Sequence, residues 1–141
     1  RNIGIFTDYG IVATTSANAP ALTRNLLADL DEQKPDVIVF ELGDGLLGAY
    51  GVEAILHDAD IRDRLTAVVL SANDPVSAWG GVELLRKEFH IDPALVTGPA
   101  TDNDVGVQQI AERTGLAGIN ALINGVALGD KVAELLRKEA T

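Results

Sequence analysis

At 141 residues the chain has the length of one ordinary domain, so a single α/β unit over residues 1–141 is the expectation. Its 21 acidic against 11 basic residues give a net charge of -10, which opposes polyanions and leaves no basic footprint for nucleic acid or an anionic membrane. Cysteine is absent, which removes disulfides, thiolate metal sites and a cysteine nucleophile, and no apolar run approaches the roughly 20 residues needed to cross a bilayer.

The first apolar run, residues 3–6, predicts a strand that enters Thr7, Asp8, Tyr9 and Gly10. After the hydroxyl-rich stretch 13–18, Leu22, Leu26, Leu27 and Leu30 make a helical stripe, with Asn18 placed to cap it, Pro20 in its first turn and Lys34-Pro35 closing it. Residues 37–40 form a second continuous apolar run, read as a strand covered on both faces, and lead into Glu41, Leu42, Gly43, Asp44 and Gly45. Val52, Ile55, Leu56 and Ala59 mark the second helix, in which His57, Asp58 and Asp60 read as solvated charges rather than a metal cluster.

A third strand is expected at residues 67–70, followed by Ser71, Ala72, Asn73 and Asp74. Asp74 with Pro75 predicts a capped helix striped by Val82, Leu85 and Phe89, in which Trp79 reads as a core or interface anchor and Gly80-Gly81 as a bend or a close contact. His90 follows at the carbonyl end. The fourth strand is expected at 94–96, leading into Thr97, Gly98, Pro99, Ala100, Thr101, Asp102 and Asn103. Asp102 or Asn103 caps a helix carrying Val107, Ile110 and Ala111 and stopped by Gly115. A weaker fifth strand at 119–123, interrupted by Asn120, precedes a last helix with Val132, Leu135 and Leu136.

Alternating strands and helices predict a three-layer, doubly wound, mainly parallel sheet of about five strands, Rossmann-like in plan. In such sheets ligands bind outside the carboxyl ends of the strands. The candidate binding residues are therefore Asp8, Glu41, Gly43, Asp44, Gly45, Asn73, Thr97, Gly98, Thr101 and Asp102. Among the 11 basic residues only Lys131 is expected near this edge, so a polyphosphate there would depend on main-chain N–H groups, helix N-termini or a cation. Glu41 and Asp44, joined by a glycine turn, form a candidate Mg²⁺ pair. The alternative is a tight strand-to-helix connection in which Asp44 bonds main chain. Residues 97–104 likewise read as an anion nest or as a capped turn.

Residues 35–48, an apolar strand running into Glu41-Leu42-Gly43-Asp44-Gly45, resemble the second acidic motif of P-loop NTPases of the dethiobiotin synthetase type, in which a strand runs into Glu-Gly-x-Gly-Gly. The resemblance extends loosely over residues 36–123 and implies Mg²⁺ with a nucleotide. The phosphate loop Gly-x-x-x-x-Gly-Lys-Ser/Thr is absent, as is Gly-x-Gly-x-x-Gly. With no methionine and a start at Arg1, the chain is expected to be a domain excised from a longer cytoplasmic enzyme, inactive alone and partnered by that protein's other domains. The leading expectation is a ligand-binding or assembly domain, nucleotide-binding-like but without its own phosphate loop. Two alternatives are part of an NAD(P)-dependent dehydrogenase, an oxidoreductase with NAD(P) held mainly by another domain, and a non-enzymatic homo-oligomerisation module built on Trp79.

Overall fold

The computed structural model describes residues 11 and 13–139. The chain divides into two compact units, Arg1–Arg64 and Leu65–Thr141.

Among the described residues three helices build the first unit: α1 (Ala19–Asp31), α2 (Val52–His57) and α3 (Ala59–Arg62). Pro20 sits in the first turn of α1, where its missing N–H costs nothing. The predicted leucine stripe turns inward, with Ala19 and Thr23 buried and the four leucines half-buried. Lys34 ends the element in the left-handed region at φ 51°, its N–H donating to Asp31 O at 2.8 Å, and Pro35 prevents resumption. The expected second helix is broken in two. Asp58 adopts an extended ψ of 112° between α2 and α3, and its carboxylate pairs with Arg24 of α1. Ala19, Ile55 and Ile61 form the small core of this unit, with Leu27, Phe40 and Leu42 packed against it.

The second unit holds two short parallel strands, β1 (Val69–Ser71) and β2 (Leu95–Thr97), with Leu70 opposite Val96. A crossover through α4 (Pro75–Glu88) joins them, and a 3₁₀ turn (Pro99–Thr101), α5 (Asp104–Thr114) and α6 (Gly125–Glu139) follow. Helix α4 begins with a capping box: Asp74 accepts from Val76 N and Ser77 N, while Ser77 Oγ accepts from Asp74 N at 3.0 Å. Asn103 caps α5 by accepting from Gly106 N at 2.9 Å, and Gly115 closes it at φ 75°. The core of this unit is Ala72, Ala78, Val82, Val96, Ala100 and Ile110. Phe89, the α4 C-cap, is fully buried as well. Each fully buried Val, Ile or Phe side chain contributes an upper estimate of roughly 1.5–3 kcal/mol.

Among the described residues the protein is thus mixed helical with one small two-stranded sheet, not the expected five-strand, three-layer Rossmann-like sheet. Residues 3–6 lie outside the described residues. Residues 37–40 form no regular element and have no ladder partner among the described residues; Val39 is 89% exposed while Phe40 packs against the core. A four-residue apolar run does not itself decide whether both faces are covered. At residues 119–123 the expected strand is replaced by a turn, because the Asn120 side-chain oxygen accepts from both Leu122 N and Ile123 N and withdraws them from any ladder. Only one bridge, Val96 to Gly118, remains there.

Trp79 is no core anchor, being 47% exposed on α4. Gly80 does not serve close packing, since a Cβ placed on it would meet nothing within 4 Å. Among the described residues no helix is long and apolar enough to cross a membrane.

Candidate functional site

The carboxyl ends of β1 and β2 are stitched together by main chain. Ala72 N donates to Thr97 O at 3.0 Å, and Ala100 N donates to Ala72 O at 3.0 Å. Gly98 lies at this seam with φ 88°, and a Cβ there would stand 2.7 Å from Ala72 O and 2.7 Å from Ser71 Oγ, so the position requires glycine. Gly106 allows a second close approach, because its Cβ would fall 2.2 Å from Ala100 O. This brings the first turn of α5 onto the 3₁₀ turn.

An open groove of about 350 Å³ results, lined by Asn73, Asp74 and Pro75 after β1, Pro99 and Ala100 after β2, and Asn103, Val105, Gly106 and Gln109 of α5 and its cap. Its volume is within the range of small-molecule sites. The first turns of both α4 and α5 face it.

The N–H groups that such turns could offer an anion are partly committed. Asp74 Oδ1 takes Val76 N at 2.8 Å and Ser77 N at 2.9 Å, and Asn103 takes Gly106 N. The cap of α4 is itself a carboxylate, and Asp104 opens α5. The basic residues of these two helices, Arg86, Lys87 and Arg113, lie in their last turns. The wall therefore presents amides and one carboxylate between proline, alanine and valine surfaces.

Of the residues expected at this edge, Asn73 lines the groove. Thr97, Gly98, Thr101 and Asp102 lie beside it as framework. Thr97 Oγ1 accepts from Ala121 N at 3.2 Å, Thr101 Oγ1 donates to Gly98 O at 2.7 Å, and Asp102 Oδ1 accepts from buried Asn120 Nδ2 at 2.8 Å. Val105, Gly106 and Gln109 were missed. Asn103, Gly106 and Gln109 recur every third residue and so share one helix face, a spacing visible once the cap is located.

Glu41, Gly43, Asp44 and Gly45 belong to the first unit. Asp44 Oδ2 accepts from Tyr50 N at 2.8 Å, and Gly45 takes a φ of 79°. Gly48 leaves space for the carboxylate, since a Cβ there would coincide with it. Tyr50 O accepts from Thr14 Oγ1 at 2.6 Å, and Gly51, at φ 93°, packs under Thr15 O and Ala19. The acidic turn and the hydroxyl-rich segment 13–18 are thereby joined. Glu41 is exposed. Among the described residues no three His, Cys, Asp or Glu side chains gather where they could hold a metal ion, and one Asp44 oxygen is engaged by main chain. Asp8 lies outside the described residues. No family model, curated protein or solved structure matches the chain.

Proposed function

We propose that the second unit is a small-ligand binding module that takes an uncharged or cationic, hydrogen-bonding molecule in the groove at the carboxyl ends of β1 and β2. The observation that carries this reading is the coincidence of the groove with those strand ends, where parallel strands present their ligands. Its chemistry narrows the class. Asn73, Asn103 and Gln109 supply amides, Asp74 supplies a carboxylate whose second oxygen has no partner among the described residues, and the nearby cations sit at the opposite ends of α4 and α5. A polyphosphate would meet Asp74 and Asp104 with no compensating charge from these helices. A cytoplasmic setting belongs to the same proposal and rests on the cysteine-free composition.

The test is titration of the isotopically labelled chain with adenosine, with putrescine and with Mg-ATP, followed by amide chemical shifts. Saturable shifts at Asn73, Gly106 and Gln109 are expected with adenosine or putrescine. Saturable binding of Mg-ATP at those amides would reverse the assignment of ligand class, and silence with all three would remove the site.

A second reading is assembly through α4. It is supported by Val76, 74% exposed, and Trp79, one turn later on the same face. Sedimentation at high concentration separates the two readings, because a strictly monomeric chain contradicts assembly and leaves the groove untouched.

A further inference from the structure

Of all the asparagines in the chain, only Asn124 is followed directly by glycine. That pairing carries a reaction of its own. The main-chain nitrogen of the next residue can attack the side-chain Cγ, and a residue without Cβ neither hinders the approach nor restricts the required rotation. The structure leaves the reacting atoms open. Asn124 is exposed, and a Cβ placed on Gly125 would meet nothing within 4 Å. Gly125 is the first residue of α6, where helical N–H groups lack intrahelical acceptors. Neither its N–H nor the Asn124 carboxamide has a hydrogen-bond partner among the described residues.

Three other asparagines at turns and caps are occupied, and Asn73, in the bend after β1, is followed by an aspartate rather than a glycine. Asn18 Oδ1 accepts from Thr15 N at 2.7 Å, Asn103 Oδ1 accepts from Gly106 N, and Asn120 both donates to Asp102 and accepts from Leu122 and Ile123. The analogous acidic pair, Asp44-Gly45, is also restrained, its carboxylate engaged by Tyr50 N.

We infer that Asn124 is a site of spontaneous amide loss in the folded protein. A bond forms between Gly125 N and Asn124 Cγ, the Cγ–N bond of the carboxamide breaks, and the proton lost by Gly125 N leaves with the departing ammonia. Water then opens the cyclic imide at either carbonyl, giving aspartate or isoaspartate, with no oxidant or reductant required. The two products act differently on α6. Aspartate places a negative charge at a helix start whose first turn contains no acid, where it complements the macrodipole. Isoaspartate lengthens the main chain by one carbon at the point where Asn124 O accepts from Leu128 N at 3.1 Å, and loosens that first bond.

The experiment is peptide mapping by mass spectrometry of the whole chain incubated folded at mildly acidic and mildly alkaline pH, beside a urea-unfolded sample and a Gly125→Ala variant. The expected result is that Asn124 converts in the folded sample faster than every other asparagine, yields both isomers, and speeds up in alkali. Gly125→Ala, which has space for its methyl group, should slow conversion by an order of magnitude or more while leaving the fold intact. Conversion of Asn124 only in the urea-unfolded sample would overturn the inference, as would an unchanged rate in Gly125→Ala.

Discussion

Val39 and Val96 stand in similar apolar runs of the two units, yet Val39 is 89% exposed and Val96 is fully buried. Val96 has neighbours on both sides. It pairs with Leu70 of β1, and on the other side its N–H donates to Ala117 O and its carbonyl accepts from Ile119 N, each at 2.9 Å. Val39 has no ladder partner among the described residues, and its run alternates, with Ile38 and Phe40 half-buried. Hydrophobic composition thus selects candidates for a strand, whereas satisfaction of main-chain groups by a neighbour decides which candidate becomes one.

The strongest way to break the second unit is at its closest main-chain contact. Gly106→Ala drives a methyl group into Ala100 O, and a loss of about 3 kcal/mol is expected in denaturant unfolding. Amide exchange in α1 should remain as in the parent if the units unfold separately. Next, Val96→Ala should cost roughly 2 kcal/mol and Val39→Ala less than about 0.5 kcal/mol. Equal effects in urea titrations would erase the distinction drawn between the two runs. Asp74→Ala removes the capping carboxylate of α4 and should cost about 1 kcal/mol, with Asp74→Ser retaining most of the stability. Conversely, Gly80→Ala fills open space inside α4 and should stabilise by roughly 0.5–1 kcal/mol, read as a higher melting temperature.

The smallest expected effect is electrostatic. Lys87, hydrogen-bonded to Glu83 one turn before it on α4, holds the Glu83 carboxyl below its usual range, and Glu83 holds Lys87 above its own. The Glu83 contribution is present above the unfolded carboxyl pKa and disappears as pH falls through the lowered folded value. That of Lys87 is present below the unfolded amine pKa and disappears as pH rises through the raised folded value. Glu83→Gln should therefore slightly flatten both the acid and the alkaline limb of a stability profile, and added salt should mask the difference.

Helix boundaries were the legible part of this molecule because their signals are local. Asp74 with Pro75, Asn103, and Gly115 each act within a few residues, and each occupies the position expected of it. Strands were less legible because pairing depends on distant chain. Asn120 shows the limit: the residue that interrupted an apolar run turned out to bind Leu122 N and Ile123 N and convert it into a turn. At the candidate groove Asn73 was readable from its place after β1, but Gln109 was not, since an exposed amide on a helix carries no signal until the cap fixes its face. The break at Asp58 was likewise hidden, since the partner that holds it, Arg24, lies on another helix.

Arg86 joins the closing ends of the two helices whose first turns line the groove. Helices α4 and α5 both begin at the groove. At their far ends Arg86 Nε donates to Asp92 Oδ1 at 2.6 Å and its Nη1 to Thr114 O at 3.0 Å, joining the close of one helix to that of the other. The side chain works as a rivet roughly 16 Å along the helix axis from the first turn of α4. Arg86→Ala is therefore expected to release Thr114 O and loosen the closing turns of α4 and α5 against each other, read as faster amide exchange in those turns.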